Sequence, residues 1–392
     1  MSRRRRYQDT HPWITFIFGL QSLDHTTWLL LGEADSKCKH IAGAPLQPEV
    51  AARLNQVYLS KGIHGTTSIE GNTLSEEQVL ARVQGDLELP ESREYLGREI
   101  DNLVGAYNDI IGAVLEGRPL RLDVARISHF NKQILDGLPL KEGVVPGKIR
   151  EHSVAVANYR GAPAEDCEYL LDHLCSWLES MQPPPDRPEL SYTFAVIKAI
   201  LAHLYLAWIH PFGDGNGRTA RLIEFQLLIQ AGVPMPAAHL LSDHYNQTRT
   251  QYYVELEKTS SKAPFPIEQF IRYAMRGFVD ELREQINAIR QSQMDVTWEH
   301  YIHQRFRNQE TMAKRRQRAL VLDMGKEFIP RSEIRTVSPR IAAAYAGKTD
   351  RAISRDLNAL AKMQLVRRVR GGVIANRTIV RAFLPVTAPT DG

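Results

Sequence analysis

Nine consecutive residues, His210-Pro211-Phe212-Gly213-Asp214-Gly215-Asn216-Gly217-Arg218, gather a base, a carboxylate, three glycines and an arginine. The imidazole of His210, with an ordinary pKa of roughly 6.5, can accept a proton near neutral pH. Gly213, Gly215 and Gly217 let backbone N–H groups approach an anion, and a helix opening at the end of the loop adds partial positive charge. Asp214 offers carboxylate oxygen to magnesium, which prefers one or two carboxylates together with phosphate oxygens. Arg218 can fork onto a phosphate, and Arg221, three residues later, points the same way. These types together describe phosphate chemistry on a nucleotide. A P-loop or dinucleotide fingerprint follows a strand, whereas this loop follows a helix and lacks the Lys-Ser/Thr pair. Pro211 and the intervening Gly213 also argue against His210 and Asp214 as helical metal ligands.

The flanking elements support this reading. Ser191 to Ile209 contains only Lys198 among Lys, Arg, Asp and Glu, so the run is either a buried helix or a membrane span. Lys198 and His203 interrupt it and no other segment resembles a partner span, which favours the buried helix. His203 and His173 are then satisfied core histidines. Downstream, Thr219 to Gln230 has helical composition and Ala231-Gly232-Val233-Pro234 stops it. The geometry is helix, glycine loop, helix.

The loop resembles the defining motif of the Fic family, His-Pro-Phe-x-Asp/Glu-Gly-Asn-Gly/Lys-Arg, followed three residues later by a second arginine. Every fixed position matches, Arg221 included. The resemblance implies a mainly α fold: a Fic-type helical core with a small β-hairpin flap. It also implies transfer of AMP from ATP to a hydroxyl on a target protein. His210 would deprotonate a Ser, Thr or Tyr, Asp214 would hold Mg2+, Asn216 and the loop amides would cradle the α- and β-phosphates, and Arg218 and Arg221 would meet the β- and γ-phosphates. Gly217, where the phosphotransferase branch carries Lys, points by the same likeness to AMP transfer.

Thr66-Thr67-Ser68-Ile69-Glu70-Gly71-Asn72 places one acid before a helix-stopping glycine, and Thr73 to Glu76 reads as a capping box. On composition this is an ordinary corner between helices. It is similar to the inhibitory motif of many Fic proteins, which implies that Glu70 pairs with Arg221 and takes the place of the ATP γ-phosphate. Ser153 to Val156 and Tyr159 to Pro163, after Pro146-Gly147-Lys148-Ile149-Arg150, read as a small hairpin. The resemblance makes it a flap that aligns a target backbone by strand addition. Asn246, Tyr252 and Tyr253 resemble positions lining the adenine pocket, although an aromatic pair is by itself more often core.

A chain of 392 residues with 43% hydrophobic content can build two or three domains around sizeable cores. Cys38, Cys167 and Cys175 lack metal-site spacing and are too few for a disulfide framework. The N-terminus has no signal-peptide pattern, so the expected location is cytoplasmic. Net charge is only +4, but 313–381 holds 17 Lys and Arg against 5 Asp and Glu, which leaves the rest of the chain at −8. A basic tail on an acidic body is a footprint of nucleic-acid contact. Within it, Ser338–Tyr345 reads as a short helix, Gly347 as a turn and Thr349–Met363 as a second helix. Ile353, Leu357 and Leu360 lie on one face of that helix, and Arg351, Arg355, Asn358 and Lys362 on the other. Two strands, Val366–Val369 and Val373–Val380, flank Gly371-Gly372 and carry Arg367, Arg368, Arg370 and Arg377. This part looks like a winged helix-turn-helix domain.

The expected organisation is a leader at 1–61, a Fic catalytic domain at 62–290 with the inhibitory helix near 62–71, a linker helix at 291–318, and a winged-helix domain at 319–386. Expected ligands are ATP and Mg2+. Expected partners are a protein substrate and DNA, with no membrane, and a homodimer is compatible with the sequence. The competing class is a DNA-binding regulator whose core senses nucleotide, or one that performs another nucleotidyl or phosphoryl transfer or AMP removal.

Overall fold

The apolar run becomes the helix Ser191–Ile209, and thirteen of its residues are buried, His203 among them. Its length and composition would suit a membrane span. Instead, Asn216–Gln230, Cys167–Ser180 and His25–Ala42 pack around it. These observations come from a computed structural model that describes residues 4–156 and 159–381. The chain is mainly α-helical and divides into two units, Met1–Asn287 and Ala288–Gly392. The division falls within the helix Ile267–Arg305.

In the first unit, Pro48–Ile69 is one 22-residue helix that opens with proline at its first position, where the missing N–H costs nothing. The expected leader boundary at 61 therefore falls inside a continuous helix. Gly62 and Gly65, which could have broken it, instead allow close approach: a side chain at Gly65 would strike the Ser242 backbone, and one at Gly62 would strike His239. The helix Leu240–Gln247 uses that space. The capping box lies two residues later than the sequence suggests, with Ser75 as the cap and Gln78 as its reciprocal partner. The Asn72 side chain accepts the Leu74 N–H at 3.0 Å, and the helix opens only after it, at Glu76. The N-terminal stretch packs on this core. Tyr7 N–H donates to Asp166 Oδ2 at 2.8 Å, His11 Nε2 lies 2.9 Å from Arg160 O, and Phe16 N–H donates to Tyr205 at 3.1 Å.

The expected hairpin is present: Ala155 pairs with Arg160 and Val156 with Tyr159, antiparallel. Its turn, 157–158, lies outside the described residues. Arg150 ties the hairpin's base to the glycine loop. Its N–H donates to Pro211 O at 2.9 Å, and its buried guanidinium donates to the carbonyls of His210 (2.7 Å), His152 (2.7 Å) and Ala162 (2.5 Å). Ile149 bridges Phe212 beside it.

The second unit has its own core of Trp298, Ile302, Phe306, Leu320, Ile341, Tyr345, Ile353, Leu357, Leu360 and Val373, among others. A three-stranded antiparallel sheet places Gly372–Ala375 between Ile329–Pro330 and Val366–Val369. The strand Ile329–Pro330 was not legible in the sequence; it is two residues long. The two anticipated helices are Pro339–Ala344 and Asp350–Lys362. The second anticipated strand ends early, since Arg377–Val380 forms a 3-10 turn. No linker helix spans 291–318. The helix Ile267–Arg305 ends, and Met312–Asp323 begins a new one. Trp298, Ile302, Phe306 and Leu320 from this stretch belong to the core, because their apolar side chains have to be buried somewhere. The last residues assigned to the expected winged helix, 382–386, lie outside the described residues.

Arg150→Met keeps most of the side-chain volume but leaves three carbonyls without their donor. Each buried unsatisfied carbonyl costs on the order of 1–3 kcal/mol, so the expected loss of stability is about 3 kcal/mol. Urea unfolding checks this; an unchanged midpoint would remove the crosslinking role.

Candidate active site

The helix Ser191–Ile209 ends on His210, whose N–H donates to Leu206 O at 2.9 Å and whose backbone turns to φ 51°, ψ 58°. This left-handed conformation costs a residue with a Cβ of order 1 kcal/mol, and the packed surroundings hold it in place. Burial pushes the His210 imidazole down to about 4, against the opposing pull of the Ala207 backbone and the Glu70 carboxylate. At neutral pH the ring is therefore uncharged, the form a proton acceptor needs.

The loop is closed by Asn216. Its Oδ1 accepts the Phe212 N–H and its Nδ2 donates to Phe212 O, both at 2.9 Å. The side chain expected at the phosphates is thus committed to holding the loop. What is left to an anion here is the first turn of the helix Asn216–Gln230, whose leading N–H groups have no intrahelical acceptor. Gly213 packs against Val144, and Gly215 caps the helix at φ 74°. A second brace comes from buried Asn131, which donates to Asp214 O at 2.9 Å and accepts the Gly147 N–H at 2.9 Å.

Asp214 Oδ1 accepts from Gly215 N–H at 2.5 Å and from Arg218 at 2.9 Å. Its Oδ2 takes no bond from a described residue, and the side chain is 37% exposed. Arg218 also donates to Glu99 at 2.5 Å, and the other Glu99 oxygen accepts from Asn72 at 2.8 Å. A chain of polar contacts therefore runs Asn72–Glu99–Arg218–Asp214.

Arg221 is 1% exposed. Its Nε donates to Thr66 Oγ1 at 2.7 Å, and its Nη2 to Thr66 O at 3.0 Å and to Glu70 Oε1 at 2.6 Å. Its Nη1 is buried with no hydrogen-bond partner among the described residues. Burial alone would raise the pKa of Glu70; Arg221, then Arg218, outweigh this and hold the carboxyl below the usual range. Gly217 is required by this contact, since a Cβ there would collide with Glu70 Oε1. The Glu70 carboxylate thus lies against the first turn of the post-loop helix, where an anion is favoured. Glu70 sits just past the end of Pro48–Ile69, and Arg249 caps that end by donating to Ile69 O at 2.8 Å and Ser68 O at 3.3 Å.

The tyrosine pair separates. Tyr252 is buried, with its hydroxyl 2.8 Å from His203 Nε2, whereas Tyr253 is 42% exposed. Asn246 is half-buried on the helix Leu240–Gln247. His203 also meets Glu224 at 3.2 Å, and Tyr245 donates to that carboxylate at 3.0 Å. His203 is a satisfied core residue, whereas His173, expected to be another, is exposed and stacks on Tyr169. His210, Asp214, Arg218, Arg221 and Glu70 do come together, although 140 residues separate Glu70 from His210. Arg351, Arg355, Asn358, Lys362 and Arg370 belong to the second unit.

Sequence reading missed Arg150, Glu99 and Asn131. For the last two a signal existed. Glu99 lies in the apolar stripe Leu96, Ile100, Leu103 and Tyr107, and Asn131 in the stripe Ile127, Phe130 and Ile134. A polar residue on a core face needs a buried partner.

Residues 121–228 match the Fic/DOC family model. Protein adenylyltransferase Fic of Aedes aegypti is 30% identical over 224 residues, covering 57% of this chain and 40% of that protein. Protein adenylyltransferase fic-1 of Caenorhabditis briggsae is 28% identical over 263 residues, 64% of this chain and 46% of that protein. The chain thus spans less than half the length of these curated relatives. Among solved structures, a Fic family protein from Desulfovibrio desulfuricans G20 aligns over 90% of this chain and 96% of its own, with TM-score 0.55 and 18% identity. Fic-1 (residues 134–508) from C. elegans aligns over 68% and 73%, with TM-score 0.53 and 22% identity. These two share the fold. The stretch that matches the family model includes the His210–Arg218 loop.

Proposed function

We propose that this chain transfers AMP from ATP to a Ser, Thr or Tyr hydroxyl of a target protein, and that Glu70 restrains the transfer. The observation that carries the reading is the buried Arg221: a phosphate-type site at a helix start, with one donor to spare, filled by the protein's own carboxylate. The relatives' names, protein adenylyltransferase, support the reaction class.

The chemistry follows from the site. Neutral His210 takes the proton of the target hydroxyl, and the oxygen attacks the α-phosphorus of ATP. A P–O bond to the alcohol forms, the bond to the α–β bridging oxygen breaks, and pyrophosphate leaves. The first turn of the helix Asn216–Gln230 and Arg218 meet the phosphates there. Such transfers depend on positioning and charge neutralisation more than on covalent catalysis. Among the described residues no group of three or more His, Cys, Asp or Glu gathers as a metal cage. A magnesium ion that arrives with phosphate oxygens and water needs one carboxylate, and Asp214 Oδ2 is free to give it. When bound, that ion neutralises phosphate charge.

Glu70 opposes the nucleotide twice. It occupies the donor of Arg221, and its charge repels an incoming phosphate by about 4 kcal/mol for unit charges about 4 Å apart. Asn72 extends the restraint: through Glu99 it links the same segment to Arg218, so both arginines of the motif are engaged from one corner.

Glu70→Gly is expected to raise self-labelling from α-labelled radioactive ATP at least tenfold, the factor that about 1.4 kcal/mol supplies. Adding His210→Ala should abolish the signal. A silent Glu70→Gly enzyme would turn the reading to a nucleotide-sensing regulator without turnover. Asn72→Ala frees the segment from Glu99 but leaves Glu70 in place, so labelling should rise by a smaller factor, on the order of threefold or about 0.65 kcal/mol; no rise would confine the restraint to Glu70 alone.

The pH dependence follows from His210. Its pKa is lowered, so the proton-accepting form persists as pH falls until about pH 4. The kcat/KM profile of the Glu70→Gly enzyme, which reports the free enzyme, should show no acidic limb between pH 6 and 7. A limb there would mean the imidazole titrates as an ordinary exposed histidine.

A further inference from the structure

In the second unit the helix Asp350–Lys362 buries Ile353, Asp356, Leu357 and Leu360, and exposes Arg351, Arg355, Asn358 and Lys362. At 100° per residue these four share a stripe about 60° wide that runs roughly 16 Å along the helix. The hairpin that follows exposes Arg367, Arg368 and Arg370. None of these six cations forms an ion pair with a described residue. Both carboxylates of the helix are neutralised by other elements. Asp350 pairs with Arg335 at 2.9 Å, and fully buried Asp356 takes Arg316 at 2.7 Å, Gln317 at 2.9 Å and Tyr345 at 3.0 Å. The exposed face therefore carries positive charge with no acid to offset it.

We infer that this face binds duplex DNA, with the helix Asp350–Lys362 in the major groove and the hairpin arginines on the adjoining phosphates. An α-helix fits a groove about 12 Å wide, and Arg and Asn are the side chains that pair bidentately with guanine and adenine edges. The deep, narrow major groove of A-form RNA does not admit a helix. An acidic protein partner would call for a central aromatic anchor; the helix stripe has no apolar residue, and Val369, exposed on the hairpin, is of a type under-represented among such anchors. The inference stands apart from the adenylyl-transfer reading, because every residue it uses lies in the second unit.

The test is fluorescence anisotropy of the full-length chain with a labelled mixed-sequence duplex of about 30 bp, titrated at several salt concentrations from about 50 to 200 mM. Binding is expected to weaken with salt at a log–log slope of about −4, roughly −0.9 for each phosphate neutralised. Arg351→Ala combined with Arg355→Ala removes two unpartnered side chains, so the variant should melt like the parent yet bind at least tenfold more weakly. An RNA duplex and polyglutamate should both fail to compete. No binding at the lowest salt, an unaffected double variant, or competition by RNA or polyglutamate as strong as by DNA would each overturn the inference.

Discussion

A guanidinium taken out of water needs acceptors for its donors and a countercharge for its cation. Arg221 meets most of that need from a single corner of the chain, through the Thr66 hydroxyl and carbonyl and the Glu70 carboxylate, with Nη1 left over. The cost of burying an unpaired charge runs to several kcal/mol, so the corner and the arginine constrain each other. Much of the first unit's arrangement serves that pairing. The helix Pro48–Ile69 has to reach the loop with its C-terminal end, Arg249 caps that end, and position 217 has to lack a side chain. Under the proposed function the arrangement is a phosphate site charge-balanced from within. A ligand that brings its own negative charge would compete for the same donors, so restraint and binding would reside in the same atoms.

His210, the proposed base, is held by a different device. It caps the C-terminal end of a mostly buried helix and turns the chain in the left-handed region. Its carbonyl is fixed by Arg150, which also gathers His152 and Ala162. The hairpin base and the glycine loop therefore share one buried cation as their crosslink. Asn131 and Asn216 brace the loop with side-chain hydrogen bonds, and Gly215 supplies the left-handed turn into the following helix. A rigid loop presents its charges without paying to order them, which is the usual requirement for electrostatic catalysis.

The second unit solves an opposite charge problem. There one carboxylate is withdrawn from the surface: Asp356 is buried under Arg316, Gln317 and Tyr345, while Arg351, Arg355, Arg367, Arg368 and Arg370 stay exposed and form no ion pair with a described residue. Withdrawing Asp356 leaves the stripe of Arg351, Arg355 and Lys362 without an acid among them, and a local field of one sign acts on polyanions at long range. The first unit turns an arginine inward and the second unit a carboxylate, each with its countercharge supplied by a neighbouring element.

Much of this was legible in the chain alone, because local chemistry and helical periodicity are properties of short segments. The nine-residue loop, the buried helix before it, the stop at Gly71, the turn at Gly347 and the polar stripe at 351–362 all follow from residue types at fixed spacing. The pairing of Glu70 with Arg221 could be anticipated only by likeness to a family, since 151 positions separate them. The tertiary structure alone decided that Asn216 braces the loop, that Tyr252 turns inward to His203, and that Glu99 and Asn72 reach Arg218. It also showed that Trp298 to Leu320 build a core instead of linking two domains, and that Pro48 to Ile69 never breaks. The physical reason is common to these cases. A hydrogen bond or a buried contact depends on which partner the fold brings within about 3 Å, and sequence spacing carries that information only within a few turns of one element.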